Sequence, residues 1–298
     1  MSFDLSSYLS KTREKVNTAL SGYIRQFCAS ERMRQPVEYA LMGPGKRVRP
    51  ILCLASHSAV SGNPDSALPA ACALEMIHTY SLIHDDLPAL DNDDLRRGRP
   101  TCHIRFSEST AILAGDALLN MAFELLTECA LTLNNGRLKA WVEVMACIAR
   151  ASGCRGMIEG QARDLAFEGT RISIEELQKM HALKTGALIQ AAIAGGAILG
   201  RATQEQLTCL DTYGKSIGLS FQVVDDILNV KGDPGIMGKA AGTDENRAKN
   251  TYPALLGLAE SEQLARTLID RALQALHIFD SKADPLRAIA NYITERDR

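Results

Sequence analysis

Residues 84–94 read HDDLPALDNDD, five aspartates among eleven residues, and residues 96–99 follow with three arginines in RRGR. Neighbouring carboxylates repel one another, so a helix end inside a cleft accepts them only when cations lie among them. Pro88 lacks a backbone donor and disfavours α geometry at the preceding residue, which allows a bend that turns Asp85 and Asp91 toward one point. Carboxylates alone suit Mg²⁺ rather than Zn²⁺. A solvated acidic loop is the alternative interpretation.

A second acidic cluster lies in FQVVDDILN, residues 221–229. Gln222, Asp225, Asp226 and Asn229 are spaced i, i+3, i+4 and i+7, which places them on one face of a helix. Adjacent acids beside an apolar stripe are costly unless they are paired or bind a metal. The cluster therefore favours a second metal-binding wall, with an exposed helix face as the alternative.

Basic residues alternate with these acidic clusters along the chain. They are Lys46, Arg47 and Arg49 in GKRVRP, Arg96, Arg97 and Arg99 after the first cluster, and later Lys184, Lys239 and Lys249. Arginine forks and lysine point charges suit phosphate oxygens, and a Gly-rich turn offers backbone N–H groups to an anion. Any one of these groups could be an ordinary solvated surface. Their alternation with the acids predicts a substrate whose diphosphates bridge Mg²⁺ and arginines.

Composition predicts a single all-α domain that spans residues 1–298. The chain is 46% hydrophobic but only 5% aromatic, and its net charge of −2 gives no basic field for nucleic acid. The eight cysteines form no CxxC pair, which indicates reduced thiols in a cytoplasmic protein. The apolar run at 186–200 is too short to span a bilayer, and the N-terminus has no apolar signal region, so we expect no stable membrane insertion.

A hydrophobic period near 3.6 predicts helices almost throughout, and no hairpin signal is visible. The predicted helices cover residues 4–28, 32–42, 51–61, 65–86, 108–132, 137–152, 173–199 and 203–230, with two more at the end of the chain. Capping boxes at Ser173/Glu176 and Thr203/Gln206 begin the seventh and eighth of them. A Gly-punctuated segment runs to Gly169, and KGDPG at 231–235 ends the eighth helix.

Several of these motifs resemble those of the trans-isoprenyl diphosphate synthases, and among them the bacterial farnesyl diphosphate synthases. The matching stretches are DDLPALDNDDLRRGRPT (85–101), FQVVDDILN (221–229), GKRVRP (45–50), GQARDL (160–165), KT (184–185) and GK…KNTYP (238–253). The resemblance covers nearly the whole chain. It implies an all-α helical bundle around a deep central apolar cavity, usually a homodimer, with isopentenyl diphosphate and an allylic diphosphate as substrates.

The resemblance also implies residue roles. Asp85 and Asp91 would bind Mg²⁺ on one wall and Asp225 a third Mg²⁺ on the other, with Mn²⁺ as a substitute. The allylic diphosphate would be held by Arg96, Lys184 and Lys239, and isopentenyl diphosphate by Lys46, Arg49, His78 and Arg97, with Lys249 helping to close the site. The backbone carbonyls of Lys184 and Thr185 and the amide oxygen of Gln222 would face the allylic cation.

Product length in this family depends on the depth of the cavity beneath the first motif. Tyr80 lies five residues before Asp85 and Ser81 four residues before it. A bulky Tyr80 would close the cavity near a fifteen-carbon product, so we expect farnesyl diphosphate. The segment that begins at Glu75 also resembles geranylgeranyl diphosphate synthases, so a twenty-carbon product is the alternative.

One position departs from the family pattern, because Asn229 stands where the second motif usually ends in Asp. Asparagine offers a carbonyl oxygen but no charge. This departure motivates a second hypothesis, a non-catalytic regulatory subunit of a prenyl synthase, although the acids of the first motif are all present. A terpene cyclase is the third hypothesis. Against it, the second motif lacks the cyclase metal triad, and GKRVRP implies a second diphosphate substrate.

Overall fold

The computed structural model describes residues 3–231 and 250–295. Its helices are α1 (Leu5–Phe27), α2 (Glu31–Leu41), α3 (Val48–Ser61), α4 (Leu68–Asp85), α5 (Cys102–Arg105), α6 (Glu108–Leu131), α7 (Asn135–Ser152), α8 (Met157–Ala166), α9 (Ile174–His181), α10 (Ala187–Leu199), α11 (Gln204–Lys231), α12 (Tyr252–Leu256), α13 (Leu258–Ala275) and α14 (Asp284–Glu295). The predicted all-α class is confirmed.

The bundle is built around α10, which packs against α3, α4, α7 and α11. This helix is apolar nearly all round, as expected for a helix at the centre of a core. Gly196 permits its close approach to α3, because a Cβ there would lie 2.0 Å from the carbonyl oxygen of Cys53. Outside this centre, α4 packs on α6 and α11 packs on α13. The carboxyl ends of α4 and α11 carry the two acidic motifs.

No β-hairpin was expected from the sequence, and this prediction is wrong. Two short antiparallel strands, β1 (Leu95–Arg96) and β2 (Arg99–Pro100), pair within the basic stretch. The two residues between them, Arg97 and Gly98, have φ of 52° and 74°. Two consecutive positive φ values are typical of a type I′ hairpin turn, whose usual sequence is Asn-Gly or Asp-Gly. Arginine at the first position conceals the turn from sequence inspection.

Two further features differ from the sequence prediction. The Gly-punctuated segment contains α8, in which Gly160 is tolerated because α8 crosses closely over a neighbouring helix. The helix predicted for 173–199 is interrupted by a π-helical stretch at Ala182–Gly186. Both capping boxes are present, at Ser173 and at Thr203.

Some predictions fall on residues outside the described ranges. Lys239, Lys249 and most of the segment after Lys231 belong to this group. By length and composition alone, Glu108–Leu131 and Ile174–Leu199 could cross a membrane, with 44% and 50% of their most apolar windows buried. Both pack against other helices of the bundle, and core helices pass the same test. The absence of membrane insertion therefore stays a prediction.

Candidate active site

The bend expected at the first acidic motif is formed immediately after α4. The backbone N–H of Asp91 donates to the carbonyl oxygen of Asp85 at 2.8 Å, and that of Asn92 donates to Leu87 at 3.1 Å. Asn92 has a φ of 50°, in the left-handed region that asparagine tolerates better than most residues. As a result, Asp85 and Asp91 line one cleft, although they are six positions apart in sequence.

This acidic cleft lies between the ends of α4 and α11 and encloses about 310 Å³. Its lining residues are Leu82, Asp85, Asp91, Arg96, Asp164, His181, Lys184, Thr185, Gln222, Asp226, Asn250 and Thr251. Six residues predicted from the sequence are thus brought together: Asp85, Asp91, Arg96, Lys184, Thr185 and Gln222. Asn250 joins the cleft to the loop before α9, because its side-chain N–H donates to the carbonyl of Thr170 at 2.8 Å.

The second acidic motif contributes Asp226 to the lining of the cleft. Asp226 is only 4% exposed, and its carboxylate accepts from Gln222 Nε2 at 2.9 Å and from the backbone N–H of Tyr252 at 3.0 Å. Asp225, the predicted metal ligand, is half-buried one position earlier and is not among the described residues that line the cleft. Its metal-binding role stays a prediction.

Lys184 and Thr185 belong to the π-helical stretch, a feature that occurs frequently at functional sites. The ammonium of Lys184 donates to Asp164 Oδ2 at 2.6 Å, and the Thr185 hydroxyl donates to Gln222 Oε1 at 3.3 Å. A Cβ at Gly160 would lie 2.2 Å from the backbone nitrogen of Lys184, so α8 contacts this stretch directly. Sequence reasoning quoted the GQARDL motif but missed Asp164 as a site residue.

The charges of the cleft perturb their neighbours. Burial raises the pKa of Asp85 to about 6, with Asp91 adding to the rise and Lys184 opposing it. For Lys184, burial alone would lower the pKa, but the nearby carboxylates of Asp164 and Asp85 raise it above its ordinary value. The carboxyl group of Asp85 is therefore protonated more easily, and the ammonium of Lys184 deprotonated less easily, than the free side chains.

The donor set of the cleft fits Mg²⁺. Asp85 and Asp91 offer the hard carboxylate oxygens that this ion prefers. Within residues 3–231 and 250–295, no three His, Cys, Asp or Glu side chains gather closely enough to hold a metal ion by themselves. Mg²⁺ usually binds through one or two carboxylates together with substrate phosphates, so a preassembled cage is not required.

A basic pocket adjoins the acidic cleft between α2, α4 and the hairpin. Its lining residues are Tyr39, Ala40, Gly43, Pro44, Arg47, Glu75, His78, Thr79, Leu82, Ile83, Asp86, Arg96, Arg97, Arg99, Pro100, Thr101 and Cys102. Leu82 and Arg96 line both the pocket and the cleft, so the two sites share a wall. Arg96 is oriented by Asp86, which accepts from its Nε at 2.8 and 2.9 Å.

His78 sits among the arginines of this pocket as a neutral imidazole. Burial lowers its pKa well below the ordinary value, and the charges of Arg49, Arg97, Arg96 and Arg47 lower it further. Burial likewise lowers the pKa of Arg49 to about 10. Arg49 Nε is buried and has no hydrogen-bond partner among the described residues. A neutral imidazole beside several guanidinium groups is suited to binding a diphosphate.

Of the four predicted ligands of isopentenyl diphosphate, His78 and Arg97 line the basic pocket, whereas Arg49 and Lys46 do not. Lys46 lies apart from the pocket. Its exposed side chain borders a separate cavity, together with Arg13 of α1, Phe221 of α11 and Tyr292 of α14. The structure does not bring it into the basic pocket, although its neighbour Arg47 lines that pocket. A role for Lys46 in substrate binding stays a prediction.

Tyr80 and Ser81 lie on α4 below the first acidic motif. Tyr80 is 6% exposed, and its ring contacts that of His84 edge-on, with 5.7 Å between centroids. His84 Nε2 lies 3.1 Å from the carbonyl oxygen of Ile112 on α6. The Ser81 hydroxyl donates to the carbonyl of His78 at 2.9 Å. Tyr80 is thus fixed within the core, and its role as the cavity floor stays a prediction.

Comparison with known proteins agrees with this geometry. The sequence model of the family described as Polyprenyl synthetase matches residues 30–288. The chain belongs to the polyprenyl synthetase family. This polyprenyl synthetase is 41% identical to the farnesyl diphosphate synthase of Geobacillus stearothermophilus, with 98% of each chain covered. It is 44% identical to geranylgeranyl pyrophosphate synthase 7, chloroplastic, of Arabidopsis thaliana, covering 99% of this chain and 84% of the relative.

Solved structures also place the chain among the prenyl synthases. An FPP/GFPP synthase from Zymomonas mobilis superimposes with a TM-score of 0.85 at 37% identity, covering 97% of this chain and 98% of that one. The polyprenyl synthetase therefore has the isoprenoid synthase fold, trans-prenyl synthase activity and isoprenyl diphosphate substrates. The relatives differ in product length, so they do not decide between a farnesyl and a geranylgeranyl product.

Proposed function

We propose that this protein condenses isopentenyl diphosphate head-to-tail with dimethylallyl and geranyl diphosphate, giving farnesyl diphosphate and pyrophosphate in a Mg²⁺-dependent reaction. The observation that carries the proposal is the shared wall of the acidic cleft and the basic pocket. A metal-bound allylic diphosphate in the cleft and a second diphosphate in the pocket would lie side by side across Leu82 and Arg96.

The residues of the cleft would hold the departing pyrophosphate. The ammonium of Lys184 and the guanidinium of Arg96 both line it, each already oriented by a carboxylate. Asp85 and Asp91 would hold Mg²⁺ and Asp225 would hold a third Mg²⁺ ion. When bound, these ions would supply further positive charge to the leaving group, and Mn²⁺ would substitute. Lys239 and Lys249 are proposed to complete the site from outside the described residues.

Carbon–carbon bond formation follows loss of the allylic C–O bond. The electron pair of that bond leaves with pyrophosphate, and the double bond of isopentenyl diphosphate supplies the electrons of the new bond. A proton is then lost from the condensed cation to pyrophosphate. The carbonyls of Lys184 and Thr185 and the amide oxygen of Gln222 would stabilise the allylic cation, and exclusion of water would prevent its capture.

The basic pocket would hold isopentenyl diphosphate. Arg49, Arg97 and the neutral His78 would contact its phosphate oxygens, and His78 would donate a hydrogen bond without adding charge. Lys46 would need to turn from its present cavity to join them. This division gives each diphosphate its own cations, with Arg96 at the boundary.

We infer a fifteen-carbon product because Tyr80 is buried on α4 below Asp85, where an aromatic ring would stop the growing chain. A twenty-carbon product is the second candidate, favoured by the 44% identity to a geranylgeranyl pyrophosphate synthase. A cytoplasmic homodimer is also proposed. The exposed apolar side chains of Ile112 and Leu113 on α6 support it, since both are available for contact with a second copy.

The test is incubation of the purified protein with isopentenyl diphosphate, Mg²⁺, and either dimethylallyl or geranyl diphosphate. Products are dephosphorylated and separated by chromatography. A dominant C15 alcohol supports farnesyl synthesis, and a C20 alcohol supports the second candidate. Failure to turn over any starter would contradict the proposal and favour a regulatory subunit with Asn229 as its altered position. Release of a cyclic hydrocarbon would indicate a cyclase.

A further inference from the structure

Arg47 is the basic residue of GKRVRP for which the family resemblance implies no substrate role. It is only 4% exposed, unlike Lys46, its exposed neighbour in the chain. It stands directly before α3 with φ 55° and ψ 38°, in the left-handed region that non-glycine residues seldom adopt. Such a conformation persists only where surrounding contacts enforce it, and it occurs preferentially at ligand-binding sites.

Four contacts enforce the conformation, and we name this set the Arg47 clamp. Arg47 Nε donates to Asn17 Oδ1 of α1 at 2.9 Å, and Nη1 donates to Glu75 Oε1 of α4 at 3.1 Å. Nη2 donates to the carbonyl oxygens of Leu41 at 2.9 Å and Gly43 at 3.1 Å. The guanidinium thereby ties α1, α4, the end of α2 and the following turn together.

The clamp is built from buried groups. Glu75 is 3% exposed, and its second oxygen, Oε2, is buried and has no hydrogen-bond partner within residues 3–231 and 250–295. A buried carboxylate opposite a buried guanidinium is costly to separate from its partner, because either group alone would be an uncompensated charge. The negative charge of Glu75 also raises the pKa values of Arg49 and Arg97, against the lowering by burial.

The turn that the clamp fixes forms one wall of the basic pocket. Arg97 Nη1 donates to the carbonyl oxygen of Pro44, which lies between clamp members Gly43 and Arg47. A Cβ at Gly45 would lie 2.7 Å from the Nη1 atoms of both Arg47 and Arg97, so the two guanidiniums pack against one glycine. Displacement of the turn would therefore move Arg97 in the pocket and Arg49 at the start of α3.

We propose that Arg47 is a positioning residue for isopentenyl diphosphate. The Arg47 clamp fixes the turn before α3, and this turn places Arg49 and Arg97 against the diphosphate of that substrate. This inference rests on the proposed function of the basic pocket. The acidic cleft has its own oriented cation in Lys184, so the clamp acts on one of the two substrates and leaves the binding of the other unchanged.

The test compares Arg47→Lys and Asn17→Ala with the natural protein. Lysine keeps the charge but lacks the fork that serves four acceptors at once. Asn17 lies on α1 and does not line the basic pocket, so its replacement reaches a ligand there only through Arg47. Asp211→Asn on the exposed surface of α11 is the control. Calorimetric titration with isopentenyl diphosphate in EDTA measures the basic pocket without metal or turnover.

We expect Arg47→Lys to weaken this binding about tenfold and Asn17→Ala about threefold, the scale of one or two hydrogen bonds. Asp211→Asn is expected to bind like the natural protein, and KM for geranyl diphosphate with Mg²⁺ is expected to change less than about twofold in all variants. If Arg47→Lys does not fold by circular dichroism, Asn17→Ala decides. An Asn17→Ala variant that binds normally while Arg47→Lys binds weakly would show direct contact of Arg47 with the ligand and overturn the positioning role.

Other outcomes separate this inference from the proposed function. Normal binding of isopentenyl diphosphate in both variants overturns the clamp but leaves the enzyme proposal intact. Intact binding without product in the assay with Mg²⁺ overturns the enzyme proposal alone. Absence of isopentenyl diphosphate binding by the natural protein in EDTA overturns both the basic pocket and the clamp. Equal changes in KM for the two substrates in the variants would have the same consequence.

Discussion

The ammonium of Lys184 donates to Asp164 Oδ2 across 2.6 Å, from the π-helical stretch to the neighbouring helix α8. Gly160, on the same helix as Asp164, packs against the backbone of Lys184 and so keeps the two segments that carry this pair in contact. The charged hydrogen bond fixes a long, flexible side chain in the cleft before any substrate arrives.

Replacement of Asp164 by asparagine should therefore impair use of the allylic substrate. Asparagine keeps the shape but removes the charge that orients Lys184, and we expect kcat/KM for geranyl diphosphate to fall about tenfold or more. Steady-state kinetics with each substrate varied in turn measures this. Asp211→Asn, the same change on the exposed surface, serves as the control. An equal loss for isopentenyl diphosphate would contradict a specific effect on Lys184.

Metal removal should abolish turnover. With EDTA in excess we expect no condensation product, and added Mg²⁺ or Mn²⁺ should restore activity. Asp85→Asn should lower kcat about a hundredfold or more at saturating Mg²⁺, because a charged oxygen ligand to the leaving-group cations is lost. Turnover is measured as the release of radiolabelled pyrophosphate, and this measurement tests both the effect of EDTA and the kcat of Asp85→Asn. Full activity in EDTA would refute the metal requirement.

The two adjacent aspartates of the second motif should behave differently on replacement by asparagine. Asp226 is buried and accepts from Gln222 and the backbone of Tyr252, so Asp226→Asn is expected to lower the free energy of unfolding by about 2 kcal/mol. Asp225→Asn should reduce Mg²⁺-dependent turnover with a smaller effect on stability. Urea denaturation and activity assays on both variants give the comparison. The reverse pattern would show that the two roles are exchanged.

Shortening the side chain of Tyr80 should lengthen the product. Tyr80→Ala removes a buried ring below Asp85, and we expect the main alcohol after dephosphorylation to shift from C15 toward C20. Tyr80→Phe keeps the ring and should keep the natural product length. Chromatography of the products from geranyl diphosphate reads out both variants. Unchanged product length in Tyr80→Ala would exclude Tyr80 as the floor.

The neutral state of His78 predicts a pH-dependent stability. Its pKa in the folded protein lies well below the ordinary 6.5 of an exposed histidine. As pH falls through 6.5, the unfolded chain takes up a proton that the folded one does not, so stability is lost on acidification, by up to about 1.4 kcal/mol per pH unit. Thermal unfolding at pH 8, 6 and 5 should show a smaller acid loss in His78→Gln than in the natural protein. His277→Gln, at an exposed histidine, should match the natural protein, and equal acid losses in all three would disprove the assignment.

Much of this architecture could be predicted because its signals are local. Helix periods, the Ser173 and Thr203 capping boxes and the bend after Asp85 each depend on a few adjacent residues. Residue spacing brought Asp85 and Asp91 to one point and placed Gln222 on the face of the second motif, while the family resemblance supplied Arg96, Lys184 and Thr185 of the same cleft. Sequence patterns of this kind report which side chains share a face of one element.

The missed features depend on contacts between distant segments. Asp164 acquires its role from Lys184, twenty positions later, and the separation of Lys46 from the basic pocket depends on packing with α1, α11 and α14. The hairpin was hidden because Arg97 adopts a positive φ that arginine rarely takes. Arg47 looked like one more surface cation, and only its four acceptors reveal a buried residue.

The π-helical stretch at Ala182–Gly186 makes the number of residues in this segment a constraint of its own. A π turn accommodates one residue more than an α turn, and each α-helical residue rotates the chain by about 100°. Because the extra residue is taken up within the turn, deletion of one residue here would give a regular α turn with α9 and α10 close to their present directions, but it would remove the wide turn that places Lys184 against Asp164. Most point substitutions would keep the wide turn that a one-residue deletion removes, so the number of residues in this segment matters more than the identity of most of its side chains.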